Sequence, residues 1–288
     1  MTPSRRFGAA CLVFLLVTPA CRRAAAPAPP LPADLGAYDP AVARLFSESA
    51  AAVGRSPQEG EAWARLAMAY HANDLFVLAV SCYEQALVLR QGEARWWYLL
   101  AQARERGGDA DRAIEAIGEA IARDGSYPPA LWRRGEWLLD RGELDPAERD
   151  FRAALALDPH DPSAAAGLAR VLLERKQPDQ AVPVLQALLA GAPQDAYARL
   201  LLGTALRQLG RTAEAEAELA KSGAGQRVIR NDPWSAALVA FQVSTSSRLQ
   251  LAAGYLQQGE VPPALQLLER LEHERPDDPD VLTRLGQA

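Results

Sequence analysis

The chain contains three histidines and three cysteines, which are its whole supply of imidazole and thiol chemistry. His71, His160 and His273 stand far apart. No HExxH, CxxC or paired-His spacing occurs, so the residue types that hold zinc are never grouped as a zinc site needs. Cys11, Cys21 and Cys82 are equally scattered, and Cys82 reads as a half-buried thiol without a redox partner. Gly108-Asp109-Ala110-Asp111 has the opening letters of a calcium loop, but the later ligands and the central glycine are missing. Lys221-Ser222-Gly223-Ala224-Gly225 carries phosphate-loop letters in the wrong order and reads as a glycine-terminated helix end. No serine sits in a GxSxG elbow. The residues therefore predict no catalytic site, no metal and no cofactor.

Charge excludes another class. The 31 Lys and Arg against 36 Asp and Glu give a formal net charge of -5, and a nucleic-acid binder would concentrate basic residues on one face. A hydrophobic share of 49% with 23% charged residues is enough for a packed core and excludes a wholly disordered chain.

The elements that would position any site begin after an address. Arg5 and Arg6 precede an apolar run from Phe7 to Val17, which is short of the roughly 20 residues that span a bilayer. Thr18-Pro19-Ala20-Cys21 follows, and a basic start, a short apolar core and small residues mark a secretory signal. This end resembles the lipobox of bacterial lipoproteins. The family prefers Leu where Thr18 stands. The resemblance implies removal of residues 1–20, lipidation of Cys21 and, with Arg22 next, retention in the outer membrane facing the periplasm. The alternative is a soluble secreted or periplasmic protein cut at Ala20 or within Ala24-Ala25-Ala26. Residues 21–39, rich in Pro and Ala, are expected to form an extended spacer.

The rest is dominated by a period of 34 residues. Trp63, Leu66, Ala67, Tyr70, Ala79, Tyr83 and Ala86 return as Trp97, Leu100, Ala101, Arg104, Ala113, Ile117 and Ala120. The third unit reads Leu131, Arg134, Gly135, Leu138, Ala147, Phe151, Ala154 and Pro159. Leu168, Ala169, Leu172, Ala181, Leu185, Leu188 and Pro193 make the fourth, and Leu202, Gly203, Leu206, Ala215 and Leu219 the fifth. The pattern resembles the tetratricopeptide repeat (TPR). It implies an all-α fold, a right-handed superhelix (α-solenoid) of about six helix-turn-helix repeats. Residues 40–59 would be a capping helix and 60–229 repeats 1–5. Residues 230–244 would be an insertion with a short helix, and 245–288 repeat 6 with part of a seventh. An incomplete last unit would leave an apolar face for self-association. Each helix is marginal alone, so the adjacent helices must supply its stability.

In such repeats the first (A) helices line a concave groove that binds a protein or peptide partner. Read across, the groove residues are Tyr98, Gln102, Glu105, Trp132, Glu136, Leu139, Arg170, Leu173, Tyr197 and Arg207. Trp132 either anchors a partner or packs on Trp137 or a neighbouring helix. Trp63 and Trp97 are expected in the core. The basic carboxylate clamp of chaperone-binding TPR domains is absent, because Ala64 and Met68 fill its slots. In the insertion, Asp232-Pro233 is a helix start, and Trp234 and Phe241 form a second candidate contact. That helix either folds back into the groove, meets a partner or covers the edge of the fifth repeat. The two resemblances together imply a non-enzymatic scaffold or adaptor of the bacterial envelope. The alternative is a periplasmic holding chaperone for exported clients, as in cytochrome c maturation.

Overall fold

The computed structural model describes residues 27–223 and 232–288. The leader, Cys21 and residues 230–231 of the insertion lie outside them. Every regular element among the described residues is a helix, with no strand. A lone helix, α1 (Pro40–Arg55), precedes five hairpins. These are α2 (Gly60–His71) with α3 (Phe76–Leu89), α4 (Ala94–Arg106) with α5 (Ala110–Arg123), and α6 (Pro128–Asp140) with α7 (Leu144–Leu157). Next come α8 (Pro162–Glu174) with α9 (Pro178–Gly191), and α10 (Ala196–Gln208) with α11 (Thr212–Lys221). Each hairpin stacks on the next, so the fold is an α-solenoid.

The 34-residue period fixes where each hairpin turns. Asp74, Gly108, Gly142, Lys176 and Gly210 all have φ between 60° and 86°, and each ends its A helix at the same phase. Glycine takes that left-handed turn without steric cost; Asp74 and Lys176 do not. Packing follows the same phase. Ala79, Ala113, Ala147, Ala181 and Ala215 are at most 2% exposed, and their small side chains let the paired helices approach closely. Asp109, Asp161 and Asp195 cap α5, α8 and α10 by accepting backbone N–H groups of the first turn.

Two expectations change. Trp96, not Trp97, is the buried tryptophan of α4; Gly60 leaves room for its ring, and an added methyl there would lie 3.0 Å from it. Trp97 is half-buried, its indole N–H donating to the Gln91 carbonyl and the Arg123 guanidinium lying 4.8 Å from its ring. The far end of the Pro-rich spacer is also docked. The hydroxyl of fully buried Tyr70 donates to the Pro30 carbonyl at 2.6 Å, and Tyr38 meets Phe46 edge-on.

Past the fifth repeat the stack is interrupted. A short helix α12 (Pro233–Ala236) runs into a tight turn at Ala237–Phe241, and α13 (Thr245–Gln257), α14 (Val261–Glu274) and α15 (Pro279–Gln287) follow. Among the described residues α13 does not continue the stack on α11. It sits instead beside the start of α1. The Asp39 carboxylate, which also caps α1, accepts the Thr245 backbone N–H at 3.2 Å and its hydroxyl at 2.9 Å. Burial pushes the Asp39 carboxyl up, but the hydrogen bonds from Ala41 and Thr245, with Arg275 nearby, outweigh it and hold its pKa below the usual range. On α15, Val281 is buried against α13 and α14, while Leu282 is 45% exposed.

Candidate functional site

Residues 232–241 lie across the A helices of the first three repeats, and Asp232 is their hub. Its carboxylate accepts the hydroxyls of Tyr98 on α4 and Tyr127 just before α6. It also accepts Arg133 Nη2 at 3.2 Å, the Ser235 N–H at 3.2 Å and the Ser235 hydroxyl at 2.6 Å. Burial pushes this carboxyl up, yet the hydrogen bonds from Ser235, Tyr127 and Tyr98 outweigh it and keep its pKa low. The carboxylate is therefore charged and faces a guanidinium, an arrangement stronger than a neutral hydrogen bond. Arg133 Nε donates to the Tyr98 hydroxyl at 2.8 Å and orients it.

Beside this carboxylate seat lies an aromatic slot. Trp234 stacks on Tyr127 with centroids 3.7 Å apart and planes 17° apart, and it meets Tyr98 edge-on at 5.4 Å. The Trp234 backbone N–H donates to the Tyr127 hydroxyl at 3.1 Å, so that hydroxyl both donates and accepts. Gln102 Nε2 donates to the Ser235 hydroxyl at 2.8 Å. At the other end Phe241 is buried in the core of the first repeats, Asn73 donates to its carbonyl at 3.0 Å, and the Arg65 guanidinium lies 5.8 Å from its ring. Of the three courses open to the insertion, it takes the fold-back.

The residues expected in the groove divide into three groups. Tyr98 and Gln102 touch the fold-back segment directly, and Glu105 is half-buried beside it. Trp132, Leu139 and Leu173 are 4%, 3% and 7% exposed and belong to the apolar cluster joining repeats 3 to 5. Trp132 is part of that core, and the Arg133 guanidinium covers its ring at 4.8 Å. Glu136, Arg170 and Tyr197 are half-buried and Arg207 is exposed, and among the described residues the fold-back segment does not reach repeats 4 and 5. Arg170 pairs with Asp140 of the preceding repeat at 3.1 Å. Tyr127, Arg133 and Asp232 were missed as site residues. Tyr127 and Arg133 fall outside the groove positions of the repeat, and only the Asp-Pro-Trp helix start hinted at Asp232.

No nucleophile, base and oxyanion donor converge here. His71 Nδ1 lies 3.4 Å from the Tyr83 hydroxyl, but both are buried, and burial, with Arg106 and Arg133 nearby, holds the imidazole pKa down at about 4. Burial pushes the Cys82 thiol up to about 12, which suppresses the thiolate. Among the described residues no group of three or more His, Cys, Asp or Glu is placed to hold a metal ion, and no helix is long and apolar enough to cross a membrane.

Stacked helical hairpins with a polypeptide segment lodged on their A helices define a repeat scaffold for protein–protein interaction. The chain belongs to the tetratricopeptide repeat family, whose models match residues 76–130, 98–162, 138–201 and 172–227. It is 29% identical over 194 residues to cellulose synthase operon protein C of Pseudomonas fluorescens, covering 66% of this chain and 14% of that protein. It is 33% identical over 130 residues to the cytochrome c-type biogenesis protein CycH of Bradyrhizobium diazoefficiens, covering 44% of this chain and 35% of that one. The chain thus spans only a minor part of either relative. The crystal structure of MamA protein superimposes with a TM-score of 0.54 at 18% identity, covering 57% of this chain and 89% of that one, a likeness of fold.

Proposed function

We propose that this chain is a non-enzymatic adaptor of the bacterial envelope, anchored through a lipidated Cys21, that binds a peptide or protein partner on its A-helix face. The observation that carries this reading is the segment at 232–241, a stretch of polypeptide held by that face through Asn73, Tyr98, Tyr127 and Arg133, side chains of three repeats. The stretch around Arg170, Tyr197 and Arg207 is where the partner continues, and Leu200, 46% exposed on α10, supplies apolar contact there. The match to a cytochrome c-type biogenesis protein supports a second reading, a periplasmic holding chaperone with many weak clients.

The test uses the full chain in its native cell, with a photo-crosslinking amino acid at Leu200 or Arg207 and, as control, at Val88 on α3, which is 70% exposed. One dominant envelope protein, trapped from the first two positions and not from Val88, is the expected result. A diffuse ladder of clients favours the chaperone, and identical patterns from all three positions overturn the groove. The anchor is tested by fractionation: Cys21→Ser should move the protein from the membrane to the soluble fraction, and no change removes the lipid.

A further inference from the structure

The fold-back segment is only partly core. Phe241 is buried and Trp234, Leu238 and Val243 are half-buried against the core of the first repeats, whereas Pro233, Ala236, Val239 and Ala240 are exposed. What holds the front of the segment is polar and specific. One carboxylate meets two phenols and a guanidinium, one indole lies flat on Tyr127, and one hydroxyl pairs with Gln102. The receptor side of this contact belongs to the repeats. Tyr98 is fully buried, and Arg133 has 24% of its side chain exposed.

If the segment leaves, a guanidinium and two hydroxyls lose their anion and turn to water, and the charge-assisted contacts they make with Asp232 are given up. Whatever replaces it must bring a carboxylate to the same spot and a flat ring to the same slot. Resting on the reading of the A-helix face as a binding groove, we propose that repeats 1–3 are a receptor for a partner segment carrying Asp followed two residues later by an aromatic. Residues 232–243 occupy that receptor in cis and block it. Asp232-Pro233-Trp234 is the template: the Asp caps a helical turn, and the turn places the indole on Tyr127. Regulation follows from mass action, since a partner gains only its affinity in excess of the tethered segment.

The test probe is the synthetic peptide DPWSAALVAFQV, residues 232–243 of this chain. It is titrated by calorimetry into the full chain and into the Asp232→Ala, Trp234→Ala double variant, with folding checked by circular dichroism and the thermal transition. The disarmed variant should bind the peptide at least about tenfold more tightly than the wild-type chain does. Replacing the peptide's Asp by Asn should weaken binding to the variant at least about tenfold, because the charge-assisted contacts are lost. A folded variant that takes no peptide, equal binding by variant and wild type, or indifference to Asp→Asn each overturns the proposal.

If the double variant does not fold, hydrogen exchange on the wild-type chain decides. Millimolar peptide should speed exchange at Trp234 and its neighbours, and unchanged rates overturn the proposal. A partner trapped from Leu200 or Arg207 while the peptide fails leaves the adaptor standing and removes only the self-blocking receptor. Peptide exchange without any trapped partner does the reverse.

Discussion

Gly167 on α8 faces the ring of Phe151 on α7. A methyl added at Gly167 would lie 2.2 Å from Cε1, 2.4 Å from Cζ and 2.7 Å from Cδ1 of that ring. Two carbons in contact need about 3.5–4.0 Å, so the ring must retreat by more than about 1 Å. It has little freedom to do so. Phe151 is fully buried, and its ring already lies 3.0 Å from where a methyl on Gly135 would sit. With three ring atoms this close the overpacking cost belongs to the upper part of the usual range, about 2–3 kcal/mol, and Ala recovers about 0.5–1 kcal/mol over Gly within a helix. Gly167→Ala should therefore destabilise by about 1–2 kcal/mol, read from urea unfolding followed by far-ultraviolet dichroism. Gly118→Ala on α5 is the matched control. Its methyl would meet only a flexible Arg134 nitrogen at 3.7 Å, and it should stabilise by about 0.5–1 kcal/mol. Phe151→Leu removes the ring atoms in conflict, so combined with Gly167→Ala it should cost less than the two changes summed, by about 1 kcal/mol. A neutral or stabilising Gly167→Ala, or strict additivity in the double variant, would refute the packing argument.

Three further outcomes are expected. The folded-state pKa of His71, about 4, lies below its ordinary 6.5, so the unfolded chain takes up the proton first. Stability should fall as pH drops from about 6.5 to 4, by about 3 kcal/mol in full, and His71→Gln should flatten that part of the profile. Lys176 holds φ at 60° where the equivalent residues of three other repeats are glycine; Lys176→Gly should raise stability by up to about 1 kcal/mol in a denaturant titration. Arg134 donates to Asp150 through Nε and Nη2 at 2.6 and 2.7 Å, and Asp150 is 6% exposed. Asp150→Ala should cost about 2 kcal/mol, and Arg134→Leu in the same chain, which restores the residue the other repeats carry at that phase, should recover most of it.

The stack was legible because its signal is repeated. One alanine, one left-handed turn and one helix start per 34 residues fix the phase, and the A helices begin at Gly60, Ala94, Pro128, Pro162 and Ala196 as that phase requires. Errors arise where a single residue decides between two faces. Trp96 and Trp97 are adjacent on α4, and the family pattern selects Trp97, but the space left by Gly60 admits Trp96. Trp132 occupies a groove position in the pattern, yet it is buried in the apolar cluster that joins repeats 3 to 5. The site itself was only half legible. Tyr98 and Gln102 stand at groove positions, whereas Asp232 reaches Tyr98 across 134 residues and Tyr127 across 105. No periodicity carries such a pairing, because it depends on the path of a non-repetitive segment.

The tie between Asp39 and Thr245 changes the kind of object this solenoid is. A one-dimensional array frays from its ends and unfolds piece by piece, because each unit contacts only those beside it. Here residues 206 apart in sequence are hydrogen-bonded, and the first helix is held by the last hairpin. The chain is closed on itself by these contacts, so fraying of the first turn of α1 breaks its link to α13. Closing a loop of that length carries an entropy cost that the contacts of Asp39 with Thr245 and Arg275 must offset, and it links the first turn of α1 to the start of α13.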